Sequence, residues 1–235
     1  MTFSIKRSMA IFQKDYKDVM KNYFVSISAL MPLFLAALYG RMGVETISGH
    51  YIVFNLTFCL VAAYVQCALI AEEKEKNTLR GLMLSPASTL EILAGKSLLS
   101  FIGTILIVLV SAFLTEYKPT DLLVISLAMV LSILFYIGLG TLLGLLTKSV
   151  MEASVVILPF FALFSFGSSL TNFADQYPFL KMAEYLPSTQ LINLATDSQA
   201  GAGLLEVWPN LLVISGWVLI IFALVVIVYR KRMVD

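Results

Sequence analysis

The stretch EEKEKNTLRGLMLSPASTLEILAGK, residues 72–96, is a polar segment that separates two long apolar runs in the first half of the chain. A helix that crosses a bilayer needs about 20 mainly apolar residues. The runs on either side, residues 51–71 and 97–115, both fit that requirement. The segment is therefore predicted to lie outside the membrane, between two membrane-spanning helices.

The composition of the whole chain agrees with that interpretation. Of its 235 residues, 59% are hydrophobic and only 13% are charged, which is too apolar for a soluble domain of this size. We therefore predict an all-α polytopic membrane protein that forms a single domain over residues 1–235. Six transmembrane helices are expected, at residues 23–39, 51–71, 97–115, 122–146, 153–171 and 209–229.

The distribution of basic residues predicts the orientation. If the six spans alternate in direction, all but three of the 16 Lys and Arg residues fall on one side, and the exceptions are Arg41, Lys118 and Lys181. Basic residues near span ends are enriched in the cytoplasm. Both termini and the 72–96 segment are therefore expected to be cytoplasmic, in a plasma membrane of bacterial type.

Residues 1–22 are predicted to form an amphipathic helix before the first span. Apolar residues recur along one helix face, and basic and acidic residues occupy the rest of the surface. One interpretation is an elbow helix in the cytoplasmic interface of the bilayer, and the other is a cytosolic helix packed on other loops. The apolar face consists of Ile5, Met9, Phe12, Tyr16, Val19 and Tyr23.

The predicted spans contain uncharged polar residues but no acidic or basic residues away from their ends. Intramembrane charges are typical of proton relays and ion-coupled carriers, so their absence weighs against a secondary transporter. The polar groups either line a pathway for an amphipathic cargo or form hydrogen bonds between helices. The candidates are Asn55, Thr57, Gln66, Ser165, Ser168, Ser169 and Asn172.

Gly140 and Gly144 form a GxxxG pattern in the fourth predicted span. Glycines at this spacing allow two helices to approach closely. The pattern is compatible with packing inside one subunit and with dimerisation.

The chain offers no apparent catalytic or metal-binding motif. Gly95, Lys96 and Ser97 match the end of a phosphate-binding loop, but Leu90 occupies the position of its first glycine and no strand precedes it. The single histidine, His50, has no Cys or carboxylate cluster beside it in sequence, and we interpret it as an interfacial side chain. We expect that the chain is not an enzyme by itself and that it binds no cofactor, metal or nucleic acid directly.

Several local signals divide the 72–96 segment into parts. Glu72 is placed to pair with Lys76 one helical turn on, as an extension of the second span. Asn77 is predicted to cap a short helix, residues 78–84, which ends at Ser85 and Pro86. A capping box, Ser88 and Glu91, then begins the helix of the third span.

These features resemble the permease subunits of the ABC-2 family of ABC transporters. In that family a similar segment follows the second span, with the pattern E-x-E-x-x-T-L-x-x-L-x-x-S-P, a hydrophobic helix and a lysine. Asn77 stands where a glycine is common. The matching residues are Glu73, Glu75, Thr78, Leu79, Leu82, Ser85, Pro86, Ile92 and Lys96.

The resemblance extends to the connection before the sixth span, residues 173–208. Its two short apolar stretches, residues 178–186 and 188–195, are similar to the half-inserted re-entrant helices of the family. An ordinary folded loop is the alternative.

The resemblance implies a division of labour. This chain would supply half of a twelve-span transport domain, as a homodimer or beside a related permease, and two copies of a separate subunit would bind ATP and Mg. The short helix of residues 78–84 would be the coupling helix that contacts the ATPase; the alternative is a solvated loop. The expected coupling residues are Glu73, Glu75, Thr78, Leu79, Arg80, Leu82, Met83, Ser85 and Pro86.

The function implied by the resemblance is export of a hydrophobic or amphipathic cargo, such as a drug, an antimicrobial peptide or a lipid-like molecule. Two other functions remain open at this point. One is an ATP-independent carrier or channel, and the other is a non-transporting membrane scaffold or immunity protein.

Overall fold

The computed structural model describes residues 4–78, 89–171 and 176–232; within these ranges it is mainly helical and has no strand. Six of its helical segments are long and apolar enough to cross a membrane. Helices suit that environment because they satisfy their backbone hydrogen bonds within the segment. The predicted fold class, an all-α multi-pass membrane protein with six spans, is confirmed.

The helices follow the chain in a simple order. An N-terminal helix, α1, precedes the spans, and the second span consists of three continuous segments, α3, π1 and α4. A 3₁₀ helix, Pro178–Tyr185, and α8 precede the last span. The bounds are α1 Ile5–Lys21, α2 Tyr23–Met42, α3 Ile47–Thr57, π1 Phe58–Val65, α4 Gln66–Glu75, α5 Thr89–Leu114, α6 Leu122–Leu146, α7 Val150–Leu170, α8 Pro187–Gln199 and α9 Leu204–Arg232.

The second span lies at the centre of the bundle. Almost all of it is buried by α2, α5, α6 and α7, whereas the other spans each expose apolar side chains outward. Phe34 of α2 and Leu219 of α9 are examples of large exposed apolar residues. Such side chains are compatible with a lipid surround, since lipid tails do not penalise exposed apolar groups.

A π-helix of eight residues, Phe58–Val65, interrupts this central span. π-helices are rare, usually single-turn, and frequent at functional sites. The sequence contains no signal for it: the apolar run from residue 51 to 71 is equally compatible with an ordinary α-helix. The second span also extends beyond the predicted ends, over Ile47–Glu75.

Helix α1 packs on α5 with one face and leaves much of its apolar face exposed. Ser8, Ile11 and Asp15 are buried, whereas Ile5 and Tyr16 of the apolar face are exposed. Ser8, Ile11 and Asp15 follow one another at intervals of three and four residues, as one helix face requires. The helix therefore has a protein-facing side that the amphipathic pattern did not indicate.

Asn77 differs from its predicted role as a helix N-cap. Its φ of 55° lies in the left-handed region, and it follows the C-terminus of α4. The Asn77 N–H donates to the Lys74 carbonyl at 3.0 Å and the Thr78 N–H donates to the Glu73 carbonyl at 2.9 Å, which is the Schellman pattern of a helix end. Asparagine tolerates this conformation better than most residues, and glycine tolerates it best.

The two apolar stretches before the last span both form helices. The first corresponds to Pro178–Tyr185 and the second to α8, Pro187–Gln199. Helix α8 packs against α9, α7, α6 and α3, with Leu191 and Leu194 fully buried. The Trp217 indole N–H donates to the Tyr185 carbonyl at 2.8 Å and joins the 3₁₀ helix to α9.

Candidate functional site

The predicted coupling segment is only partly described by the structure. Glu73, Glu75 and Thr78 fall within the described residues. The rest of the predicted set falls outside them, namely Leu79, Arg80, Leu82, Met83, Ser85 and Pro86, together with Ser88 of the predicted capping box. The geometry of the site therefore comes from the residues on both sides of 79–88.

A buried cluster of four charged residues lies where these two sides meet. Lys96, with 1% of its surface exposed, places its Nζ atom 3.1 and 3.3 Å from the two carboxylate oxygens of Asp15. The same Nζ lies 3.1 Å from Oε1 of Glu73. Lys14 also binds Glu73. We call Lys14, Asp15, Glu73 and Lys96 the ion cluster; two positive and two negative charges balance within it.

The ion cluster joins three separate parts of the chain. Asp15 and Lys14 belong to α1, Glu73 to α4 and Lys96 to α5. The Thr78 hydroxyl, directly before the segment 79–88, donates to the Glu73 carboxylate as well. The end of the second span, the start of the third span and the N-terminal helix are therefore held together by one set of ion pairs.

Burial makes these ion pairs costly to break. Moving a charge out of water costs several kcal/mol, and removing one partner of a buried pair typically destabilises a protein by about 3–5 kcal/mol. Burial raises the pKa of Asp15 above its usual value, while the ammonium of Lys96 acts in the opposite direction. Lys96 is thus the central group, since it is the cation that contacts both carboxylates.

A second contact fastens the start of α1 to the start of α5. The Arg7 guanidinium lies 3.2 Å from Glu91, and the Ser4 backbone N–H donates to the same carboxylate at 2.5 Å. Gly95 allows the approach: a Cβ atom there would lie 2.8 Å from the Ser8 carbonyl oxygen. The Glu91 side chain thus contacts α1, while Ser88, its partner in the predicted capping box, lies outside the described residues.

A third contact connects the end of the second span to the fourth and fifth spans. Lys74 donates to the Leu145 carbonyl at 2.7 Å and to the Thr147 carbonyl, at the C-terminus of α6. Glu75 accepts a hydrogen bond from the Val150 N–H at 3.0 Å, at the N-terminus of α7. A cation at a helix C-terminus and an anion at a helix N-terminus are the favourable arrangement for the helix dipole.

The ion cluster and the contacts of Arg7, Lys74, Glu75 and Glu91 together form a junction between helices. Among the described residues no group of three His, Cys, Asp or Glu side chains could hold a metal ion. What the geometry provides is a rigid connection from both sides of the segment 79–88 to α1, α4, α5, α6 and α7.

A family model described as ABC-2 family transporter protein matches residues 7–227. The chain belongs to this family. It is accordingly the membrane component of an ABC transporter, and the family implies association with an ABC ATP-binding subunit. No match was found among curated proteins.

In this ABC-2 protein, two of the polar residues predicted in the spans bond to neighbouring helices. Gln66 donates to Thr141 at 3.1 Å and accepts from Ser100 at 2.9 Å, which links the second, third and fourth spans. Ser165 donates to the Cys59 sulfur at 3.6 Å. Interhelical hydrogen bonding, one of the two interpretations left open, therefore describes Gln66 and Ser165.

The other candidate pathway residues have mixed surroundings. Thr57 donates to the Val53 carbonyl in its own helix, and the buried Asn55 side-chain oxygen has no partner among the described residues. Ser168 is half-buried and Ser169 is exposed, while Asn172 lies outside the described residues.

Gly140 and Gly144 both face the second span of the same chain. A Cβ atom at Gly140 would lie 2.1 Å from the Ala63 carbonyl oxygen in the π-helix. At Gly144 it would lie 2.8 Å from the Cys67 carbonyl oxygen. The GxxxG pattern thus brings α6 into backbone contact with the central span inside the subunit.

Sequence reasoning missed several members of the junction. Lys14 and Asp15 were assigned to a polar helix surface, and Lys74 was counted only as a basic residue that indicates orientation. Lys96 was matched to the family pattern, but its ion pairs with Asp15 and Glu73 were not predicted. The three residues that match the end of a phosphate-binding loop have structural contacts here. Gly95 allows α1 to approach closely, Lys96 belongs to the ion cluster, and Ser97 accepts a hydrogen bond from Gln66 at 3.4 Å.

Proposed function

We propose that the chain is the permease subunit of an ATP-driven exporter for hydrophobic or amphipathic cargo, such as a drug, an antimicrobial peptide or a lipid-like molecule. Two ATP-binding subunits would supply the energy, and the permease would act as a homodimer or beside a related permease. The distribution of Lys and Arg supports an orientation with both termini in the cytoplasm of a bacterial-type cell.

The ion cluster is the observation that carries this proposal. It fastens residues on both sides of the segment 79–88, through Thr78 and Glu73 on one side and Lys96 on the other. A force applied to that segment by an ATPase would act on α1, α4 and α5 together. Buried ion pairs suit such a role because they resist separation and hold a defined geometry.

The contacts of Lys74 and Glu75 would extend the movement to two further spans. They connect the end of α4 to the C-terminus of α6 and the N-terminus of α7. ATP-driven closure of the partner subunits would then produce a rigid-body rearrangement of the helices between inward and outward access. In this proposal the segment 79–88 supplies the contact with the ATPase, through Leu79, Leu82 and Met83.

The proposal can be tested with the chain and an ABC ATP-binding subunit produced together. We expect the two to purify as a complex, and we expect efflux from proteoliposomes to require ATP hydrolysis. The triple substitution Leu79→Asp, Leu82→Asp and Met83→Asp should abolish the complex, since three carboxylates would have to be desolvated at the contact. Persistence of the complex would show that this segment is not the contact.

Two controls separate the alternatives. The variant Leu79→Met, Leu82→Met and Met83→Leu keeps the segment apolar and should retain the complex. Transport by the chain in the absence of any ATPase would establish an ATP-independent carrier or channel. A complex whose cargo distribution is unchanged when ATP hydrolysis is abolished in the partner would indicate a non-transporting scaffold or immunity protein.

A further inference from the structure

Helix α1 lies against the protein with one side and is exposed along the other. Four large apolar residues share the exposed side, because their spacing of four, seven and four positions places them on one helix face. Between 42% and 73% of the surface of each is exposed. We call them the apolar row; they are Ile5, Met9, Tyr16 and Met20. A continuous apolar surface of this kind marks a site of contact with a membrane or another protein.

The charges of α1 are sorted between its two sides. The exposed side carries three lysines next to the apolar row that form no ion pair within the described parts of the chain. We call them the lysine row, namely Lys6, Lys17 and Lys21. Both acidic residues of α1 turn toward the protein: Asp15 is buried in the ion cluster, and the half-buried Asp18 pairs with Lys14. The exposed side of α1 is therefore apolar along one edge and cationic along the other.

The contacts of α1 place it at the level of the membrane boundary. Its ion pairs with α5 involve Glu91 and Lys96, directly before the apolar run of residues 97–115. Its ion pair with α4 involves Glu73, just after the apolar run of residues 51–71. The helix also ends directly before α2, the first span. It therefore lies beside the ends of three spans, where hydrocarbon gives way to headgroups.

A bilayer surface that contains anionic lipids matches both edges of the exposed side. Apolar side chains of an interfacial helix enter the acyl boundary, while lysines extend to the headgroups. Each lysine near an anionic leaflet strengthens binding about fivefold. A surface without net charge would accept the apolar row but would leave three ammonium groups without counter-charges.

We propose that the exposed side of α1 binds anionic phospholipids at the adjacent bilayer surface, with the lysine row contacting the headgroup phosphates and the apolar row entering the acyl boundary. The interaction does not depend on the proposed transport function, because it requires neither an ATPase nor a cargo.

Lipid binding to α1 would also act on the ion cluster. Lys14 and Asp15 belong to the same helix as the lysine row, and Asp15 pairs with Lys96 of α5. Headgroups that bind α1 in its attached position oppose its separation from α5, because a ligand of one state stabilises that state. Anionic lipid is therefore expected to stabilise the attachment of α1 to the bundle.

Native mass spectrometry of the full chain in a neutral detergent would measure the preference for headgroup charge. Phosphatidylglycerol should bind at least about tenfold more tightly than phosphatidylcholine with the same acyl chains. The triple variant Lys6→Gln, Lys17→Gln and Lys21→Gln should reduce this preference to about twofold or less. Equal binding of the two lipids by the parent chain would overturn the proposal, as would an unchanged preference in the triple variant.

A matched control removes the same charge from the opposite end of the bundle. Its three substituted residues are all exposed, and the control is Arg41→Gln, Lys118→Gln and Lys181→Gln. It should keep the preference of the parent. If it lost the preference to the same extent as the lysine-row variant, the effect would come from net charge, and α1 would not be the site.

A nitroxide label would show what lies against the apolar row. Met20→Cys introduces an exposed cysteine, whereas the native Cys59 and Cys67 are buried. In phosphatidylglycerol-containing nanodiscs without any ATPase, oxygen dissolved in the acyl chains should relax this label more than a water-soluble nickel chelate does. Ala10→Cys, on the edge of the lysine row, should show the opposite order. A label at position 20 that is relaxed mainly by the nickel chelate would mean that the row faces water and is left for a protein partner, which would overturn the proposal.

Amide hydrogen exchange in nanodiscs tests the effect on the ion cluster. Replacing phosphatidylcholine by phosphatidylglycerol should slow exchange in α1 at least about fivefold in the parent chain, and should leave it unchanged in the lysine-row variant. Equal exchange of the parent in the two lipids would show that lipid does not stabilise the attachment of α1.

Discussion

The two ends of the helix bundle treat charge in opposite ways. At one end, Lys96, Asp15 and Glu73 are buried and pair with one another. At the other end, Glu45, Glu116 and Lys118 line an open pocket without forming ion pairs in the described structure. Paired buried charges hold helices in place, whereas Glu45, Glu116 and Lys118 are exposed to solvent and contribute little to stability through charge. We therefore assign a structural junction to the first end and expect the charges of the second end to affect stability little.

The largest expected effect tests the junction. Lys96→Met removes the cation that contacts both Asp15 and Glu73, and we expect the free energy of unfolding to fall by about 3–5 kcal/mol. Reversible unfolding in mixed micelles would measure it. The matched variant at the other end, Lys118→Met, should stay within about 0.5 kcal/mol of the parent. Similar losses for both lysines would contradict the contrast between the two ends.

Gly95→Ala tests the close packing that surrounds the ion cluster. The added Cβ atom would lie 2.8 Å from the Ser8 carbonyl oxygen, so α1 must shift away from α5, at a cost of about 1–3 kcal/mol. Gly216→Ala in α9 is the control, because no atom lies within 4 Å of its Cβ position. That control should be neutral or more stable, since alanine favours helix by about 1 kcal/mol.

Asp15→Asn is expected to cost less than Lys96→Met, about 1 kcal/mol. Burial raises the pKa of Asp15, so the folded state holds the neutral carboxyl better than the unfolded chain does. The contribution of this group to stability is therefore present at low pH and is lost as the pH rises through the raised pKa. The parent should therefore gain stability relative to the variant toward acid, so the gap between their unfolding free energies should widen there. A gap that narrows toward acid would refute the assignment.

Glu116→Gly is predicted to stabilise the protein, by about 1 kcal/mol, because glycine relieves the strain of a left-handed residue. Thermal unfolding in detergent would show the gain. The contrast between the two ends would then be clearer: removing the Glu116 side chain would raise stability, whereas removing the Lys96 ammonium would lower it. A loss of stability would mean that Glu116 makes a structural contribution.

How far the sequence predicts this structure depends on whether a feature is local or not. The span of residues 122–146 coincides with α6, Leu122–Leu146, because apolar length is a property of a continuous segment. The helical stretches before the last span were also visible as apolar runs. Asn77 was assigned to the wrong helix end, since a polar turn residue between two helices can belong to either.

The contacts of the junction could not be predicted from local sequence patterns. Lys96 pairs with Asp15 across 81 positions and with Glu73 across 23, and no local pattern reports such distances. Asp15 lies on the polar surface of α1, and the amphipathic pattern of one helix does not say which part of that surface another helix will cover. The π-helix is similar, since a change in backbone hydrogen bonding leaves no mark in an apolar run.

By itself, then, the sequence determined that this protein is a six-span helical membrane protein, because hydrocarbon thickness sets the length and composition that each span must have. The residues of the 72–96 segment also revealed the resemblance of the chain to the ABC-2 family. Only the tertiary structure decided which charges pair in the interior and which remain exposed to solvent. The physical reason is that burial and pairing depend on what surrounds a side chain, and the neighbours of Lys96 and His50 come from distant parts of the chain.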